Sequence, residues 1–429
     1  MGLLEIWIPE VLIVFFLLVP ILRPLIKGLW HIDSLAWFPL IALGINIGLF
    51  PAYGIRPECI PILGFTFLYT LFNLRSFFSS FKSKAGNAVY ERNIFLTVFS
   101  ILFLVIVSIP MFAFTPKYFD SHDVDTVTEK ITKISDTRTG KNYFLSVYGE
   151  MHNENPLIFI VPPDFGSSAS IHYICSGLRE SGFTVITYSR EGYDSPLTTE
   201  NRIKHFSSFG NFFTHWKTIR QTDPDIQGID MESERKVDIE FLLTWLVNQF
   251  DDEDSLPPLI LAGYGAGGSA LTYIAEEDGL IPVYDNVLGI IAIESRLWTA
   301  ALDSQSYTSL PVLFLVSGRI LDLQEGNNPY QTVMNKFRFG SGHLALAAIE
   351  SAGPLDYQDF PYTHPVYSFF LTGKKDAKKS ENPVSDTIGI IFNFASFLLE
   401  NIGYDEFPRH VIDGDLYIES KGISGFRLK

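Results

Sequence analysis

The sequence predicts an α/β protein: a mostly parallel, doubly wound sheet preceded by an N-terminal bundle of about four transmembrane helices. Three observations carry that reading. The first 114 residues contain four long apolar runs. The remainder alternates unbroken apolar runs with helical patterns. One of those runs, "LILAGYGAGGSA" at Leu259–Ala270, ends in a turn of small residues.

The first run, "LLEIWIPEVLIVFFLLVPILRPL", has no basic residue before it. A cleaved signal peptide would be shorter and would begin with Lys or Arg. "LAWFPLIALGINIGLFPAY", "CIPILGFTFLYTLFNL" and "IFLTVFSILFLVIVSIPMFAF" follow. The first, second and fourth approach the ~20 residues that span a bilayer. The third is shorter and suits a tilted span or a re-entrant piece, so four spans are read, with three as the alternative. Arg23 and Lys27 follow the first run, and Arg75, Lys82, Lys84 and Arg92 lie between the third and fourth. Only Arg56 lies between the second and third. Basic short loops stay in the cytoplasm, which places everything after Phe114 on the other side.

Charge divides the chain in the same place. Residues 1–114 carry 7 Lys/Arg and 5 Asp/Glu, and the rest carries 25 and 43. So acidic a globular part excludes nucleic acid, whose phosphates need a basic patch. It also excludes adhesion of that part to anionic lipid. Cys59 and Cys175 are too few and too distant for a disulfide framework or a metal site. No metal and no cofactor is predicted.

The second domain is read as 115–429. "DTVTEKITKISD" and "NYFLSVYGE" alternate like an antiparallel strand pair. "PLIFIVPP", "GFTVITYS", "PPLILAGYG", "VLGIIAIES", "LPVLFLVSG" and "HLALAAIES" are continuous apolar runs suited to strands buried on both faces. "ASIHYICSGLRESG", "RKVDIEFLLTWLVNQF" and "GSALTYIAEEDG" are the helices between them, and "TIGIIFNFASFLLENIG" is a closing helix. Such alternation winds into a parallel sheet. The polar, aromatic stretch 191–234 interrupts it as a possible small cap.

The small-residue turn has the punctuation of a nucleophile elbow, G-x-S-x-G, in which a strained strand-to-helix turn raises a Ser hydroxyl above the sheet. Here the frame is Gly263, Tyr264, Gly265, Ala266, Gly267, and the Ser position holds Gly265. The other Gly-rich readings fit less well. No Lys-Ser/Thr follows, as a phosphate loop requires. A dinucleotide fingerprint fails at Ala270, and its strand is not the first of the sheet.

The order of elements resembles the α/β-hydrolases, in particular the branch of dienelactone-hydrolase-like and platelet-activating-factor-acetylhydrolase-like proteins. "LIFIVPPDFGSSASIHYICSGLRESGFTVITYSREG" resembles that family's oxyanion strand, loop, helix and next strand. "RKVDIEFLLTWL" resembles the helix before the elbow, "LGIIAIESRLW" the strand bearing the acid, and "ESAGPLDYQDFPYTHPV" the segment bearing the His. The N-terminal runs, with "FPAYGIRPECIP", resemble the membrane anchors of some bacterial members.

The resemblance implies a degraded triad. The nucleophile falls at Gly265, the acid at Glu294 and the base at Pro354. Its oxyanion donors are the amides of Phe165 and Ala266, with Tyr264 beside them. His343 and His364 flank the vacant base position, and His364 is the candidate substitute. Asp322 is a second candidate acid. Ser269 points away from the elbow mouth, and Ser167 and Ser168 suit local backbone bonding. Loss of a nucleophile or base removes roughly 10⁶-fold of triad acceleration.

The leading expectation is therefore an integral protein of the bacterial cytoplasmic membrane whose outer domain is a pseudo-hydrolase. It would bind an acyl or lipid-like ligand or a protein partner. Two other readings stay open: an active esterase or lipase-like enzyme using a non-standard residue, and a purely structural membrane protein.

Overall fold

A computed structural model describes residues 3–82, 94–113, 129–151, 155–163, 166–199, 202–204, 224–250, 256–276, 286–295, 310–317, 344–349, 383–401 and 416–421. The chain divides into two compact units. One is Met1–Asp123 with Lys204–Phe209, and the other is Val124–Ile203 with Gly210–Lys429.

The N-terminal unit contains α1 (Leu3–Leu22), α2 (Phe38–Tyr53), α3 (Ile60–Lys82) and α4 (Ile94–Ala113). Asp33–Tyr53, Pro57–Phe78 and Ile94–Ala113 are long and apolar enough to cross a membrane, whereas the apolar stretch Trp7–Leu22 is shorter. The run read as the short third one is part of a helix as long as the others. "FNLRSFFSSF" breaks the apolar run but holds no helix-breaking Gly or Pro, so α3 continues to 23 residues. Ile13, Leu17, Ala42, Ile62, Leu104 and Met111 form the inner seam. Phe72 and Phe95 stand 83% and 82% exposed, an outer surface suited to hydrocarbon rather than water. Polar groups turn inward. Asn46 Nδ2 donates to Ala42 O at 3.1 Å and to Thr66 Oγ1 at 3.3 Å, and Thr70 Oγ1 donates to Pro39 O at 3.1 Å. The Asn46–Thr66 and Thr70–Pro39 bonds tie α2 to α3.

The second unit is a mostly parallel, doubly wound sheet of nine described strands. They are β1 (Glu129–Ser135), β2 (Asn142–Tyr148), β3 (Leu157–Val161), β4 (Thr184–Arg190), β7 (Leu259–Tyr264), β8 (Val287–Ile293), β9 (Val312–Ser317), β10 (Leu344–Ile349) and β11 (Leu416–Lys421). Two further strands, β5 (Leu197–Thr199) and β6 (Arg202–Lys204), form a separate ribbon. The order across the sheet is β1-β2-β4-β3-β7-β8-β9-β10-β11. From β4 to β10 every pairing is parallel, while β1–β2, β2–β4 and β10–β11 are antiparallel.

Period-two alternation sorts the sheet's two faces. Leu157, Phe159, Leu259, Leu261, Ile290 and Phe314 pack with helices α6 (Pro224–Val247) and α7 (Ala266–Glu276). Ile158, Ile160, Ile260, Ala262, Ile291 and Leu313 pack with α5 (His172–Glu180) and α8 (Pro383–Glu400). Both faces are covered, as the unbroken apolar runs require.

Two boundaries differ from the sequence reading. Helix α6 begins at Pro224 rather than near Arg235, and so enters the stretch read as a cap. Its first turns, "PDIQGIDMESER", hold only Ile226, Ile229 and Met231 as aliphatic residues after the proline, too sparse a stripe for a periodicity search. Strand β11 follows the helix read as closing the domain. "LYIESK" is a short edge strand held by backbone bonds to β10, with too little alternation to stand out.

Candidate functional site

Strand β3 has β4 on one side and β7 on the other, so the winding of the sheet reverses there. In open α/β sheets, ligands bind in the crevice beyond the carboxyl ends of the strands at this reversal. The segments that reach it are Pro162–Pro163 and Gly166–Ser168 after β3, Gly265–Gly267 after β7 and Glu294–Ser295 after β8.

The turn from β7 into α7 is very tight. A Cβ on Gly263 would lie 2.7 Å from Gly268 N, and one on Gly267 would lie 2.4 Å from Val161 Cγ1. Strand and helix therefore touch through bare backbone. Gly265 occupies the apex with φ +53°, a conformation that costs L side chains about 1–2 kcal/mol. Its oxygen accepts the first helical bond, from Ser269 N at 3.2 Å. Ser269 Oγ donates to the same oxygen at 3.3 Å, which ties it inside the first turn. Ala266 opens the helix, so its amide sits at the positive end of the helix dipole. Tyr264 is 1% exposed and packs on the α5–α8 face of the sheet.

Glu294 lies one strand away. Tyr264 is in register with Ile293, and Gly265 N donates to Ile293 O at 2.9 Å. Glu294 N donates in turn to Leu315 O at 2.8 Å. The two residues that the resemblance assigns as nucleophile and acid thus end adjacent parallel strands. Glu294 has φ +48°, the only positive value among the described non-glycine residues. Both are half-buried. The apex therefore presents an acidic side chain beside backbone, with no hydroxyl or thiol on Gly265.

The loop after β3 is held from beneath by charge that the sequence reading missed. Arg235, 1% exposed, donates from Nη2 to Pro163 O at 3.1 Å, Gly166 O at 3.5 Å and Asp194 Oδ1 at 2.8 Å. It thereby clamps the loop on both sides of its tip. Arg190 N donates to Asp194 Oδ2 at 2.6 Å, and Arg190 Nη1 donates to Asp238 Oδ1 at 2.9 Å. Tyr143 donates its hydroxyl to Asp238 Oδ1 at 2.9 Å. Burial alone would lower the Arg235 guanidinium; the facing Asp194 carboxylate instead holds it well above its ordinary value. Burial, then the Asp238 charge, raises the Tyr143 phenol, which keeps it a donor. The available signal was Arg235 and Asp238, spaced i,i+3 on the apolar face of α6.

Ser167 serves the local backbone, whereas Ser168 meets a distant hydroxyl. Ser167 Oγ accepts from Ala169 N at 3.1 Å, and Ser168 Oγ lies 3.0 Å from Ser189 Oγ. Phe165, Asp322, His343, Pro354 and His364 lie outside the described residues. Among the described residues, no group of three or more His, Cys, Asp or Glu is placed to hold a metal.

Residues 4–113 match the family model TP_0976_N, described as an N-terminal domain. No curated protein matches the chain. Among solved structures, a ferulic acid esterase from Streptomyces cinnamoneus is 12% identical, over 68% of this chain and 96% of that one, with a TM-score of 0.45. A predicted CIB-like hydrolase from Thermoplasma acidophilum is 15% identical, over 63% and 98%, with a TM-score of 0.35. A dienelactone hydrolase from Anabaena variabilis is 16% identical, over 57% and 95%, with a TM-score of 0.33.

Proposed function

We propose that the chain is a membrane-anchored, α/β-hydrolase-like protein that binds an acyl or lipid-like ligand without hydrolysing it. One observation carries the reading. Gly265, at φ +53°, holds the apex of an elbow at the sheet's winding reversal, and it has no side chain to attack with. The helix start at Ala266 and the clamped loop after β3 support binding of a carbonyl oxygen by backbone donors. Pro354 at the base position removes the proton acceptor that acyl transfer needs. The basic short loops around Arg23 and Lys82 support an extracytoplasmic position for the second unit in a bacterial membrane.

The test uses the full-length protein in detergent, treated with a fluorophosphonate probe and assayed on short-chain esters. The native chain is expected neither to label nor to turn over ester. The Gly265→Ser, Pro354→His double variant is expected to label at the new serine. Labelling and turnover by the native chain would overturn the reading, and mapping the adduct would identify the nucleophile.

A further inference from the structure

The connector from α1 to α2, residues 23–37, suits a place with little access to water. The amides of Leu25, Ile26, Leu29, Trp30, Ile32 and Leu35 each donate to a carbonyl three or four residues back. Arg23, 5% exposed, donates from Nε to Leu29 O at 3.2 Å and from Nη2 to Trp30 O at 2.8 Å. Irregular backbone is tolerated at membrane depth only where the protein itself satisfies it. A loop in open water has no such need. The side chains agree. Leu25, Ile26, Ile32 and Trp37 are 42%, 44%, 39% and 42% exposed. Trp37 meets Phe77 near the end of α3, with ring centroids 4.6 Å apart, and Phe78 next to it is 60% exposed. The apolar surface of the helices therefore runs on into the connector, and tryptophan favours the boundary between hydrocarbon and headgroup.

The Trp37–Phe77 contact also brings Arg75 of α3 to this end of the bundle. Lys27 and Arg75 are exposed, and neither forms an ion pair among the described residues. Arg56, by contrast, is 5% exposed and donates to Glu10 of α1. Segments 23–37 and 75–93 together carry six Lys/Arg against two Asp/Glu. One of those acids, Asp33, already faces Arg23 at 3.7 Å. The excess positive charge thus stands open at the surface, beside exposed apolar side chains. Water calls for no such apolar side chains, and an uncharged leaflet calls for no such cations. A leaflet with anionic headgroups calls for both.

We propose that the α1–α2 connector seats in the headgroup layer and selects anionic phospholipid. Lys27 and Arg75 meet the phosphates, while Leu25, Ile26, Ile32 and Trp37 are immersed beneath them. The surface is independent of the elbow at Gly265 and rests only on the helices lying in a membrane.

The test uses the full-length protein in phosphatidylcholine nanodiscs with a trace of photoactivatable phosphatidylglycerol or phosphatidylcholine of identical acyl chains. Residues 23–37 are expected to capture the phosphatidylglycerol probe in preference, and added salt is expected to reduce that preference. The Lys27→Gln, Arg75→Gln double variant is expected to lose about fivefold in phosphatidylglycerol capture for each residue changed, the worth of one basic residue at an anionic surface. Its phosphatidylcholine capture is expected to stay as it was. Leu25→Gln, Ile26→Gln is expected to lower capture of both probes alike, because immersion does not depend on the headgroup. Circular dichroism and gel filtration establish that each variant folds. Equal capture of the two probes by the native chain, or an undiminished preference in the Lys27→Gln, Arg75→Gln variant, would overturn the proposal and leave the membrane anchor standing. A native chain that alkaline carbonate strips from liposomes of the same lipid would overturn both. None of these results bears on the fluorophosphonate result.

Discussion

Gly263 and Gly268 meet across the turn from β7 into α7 so closely that a Cβ on Gly268 would lie 2.7 Å from Gly263 O. Both partners are backbone, so neither can rotate away as a flexible side chain could. Gly263→Ala and Gly268→Ala are each expected to destabilise the second unit by about 2–3 kcal/mol or more, through overpacking at a contact that cannot relax. Denaturant titration of the full-length protein measures this directly. Losses below about 0.5 kcal/mol, the level of an ordinary surface change, would mean that strand and helix separate easily.

Glu294 holds φ +48° without being glycine. A side chain in this region costs about 1–2 kcal/mol, which glycine does not incur. Glu294→Gly is therefore expected to keep or raise thermal stability. Glu294→Val, whose branched Cβ suits this region least, is expected to lower it by more than about 1 kcal/mol. Equal stability of the two variants would show that the backbone relaxes and that no strain is held at the end of β8.

Much of the fold is legible because burial on both sheet faces writes itself as unbroken apolar runs. "LIFIV", "LILAGY" and "VLFLVS" each became a strand of the parallel core. The small residues from Gly263 to Gly268 likewise announce a tight strand-to-helix turn, since only they allow backbone to touch backbone. Strand β11 was not legible, because an edge strand is specified by its partner β10 and hardly by its own pattern. The clamp on the loop after β3 was also hidden. Arg190, Asp194, Arg235 and Asp238 come from two distant segments; the i,i+3 spacing of Arg235 and Asp238 on an apolar face is a local signal, but nothing local pairs them with Arg190 and Asp194. Likewise the Glu10–Arg56 pair joins residues 46 positions apart, which no spacing rule connects.

Arg235 spans Asp194 and the carbonyls of Pro163 and Gly166 with almost no exposure. Arg235→Met would leave Asp194 as a buried carboxylate without its closest cation, at an expected cost of about 3–5 kcal/mol. Lys141, a quarter exposed and 2.9 Å from Glu234, sits at the rim of the same network. Lys141→Ala is expected to cost less than about 1 kcal/mol, because water screens that pair. Paired unfolding curves test the contrast. Similar costs for both would mean that the network acts as one surface cluster rather than as a buried clamp with a screened rim.

His172 opens α5, is 6% exposed, and has Nδ1 2.9 Å from the Tyr148 hydroxyl. Burial holds its imidazole down at about 4, against an ordinary 6.5. A helix N-terminus further disfavours a cation there. The folded chain therefore keeps His172 neutral over a range in which the unfolded chain takes up a proton. Stability linked to this residue is full above pH 6.5 and is lost as pH falls towards 4. A gap of this size corresponds to about 3 kcal/mol over the whole window. His172→Gln, which cannot titrate, is expected to remove that part of the pH dependence while keeping a polar partner for Tyr148. The comparison with the native chain also cancels the carboxylates that titrate at the acid end. An unchanged slope between pH 6.5 and 4 in the variant would assign the acid sensitivity to those carboxylates instead.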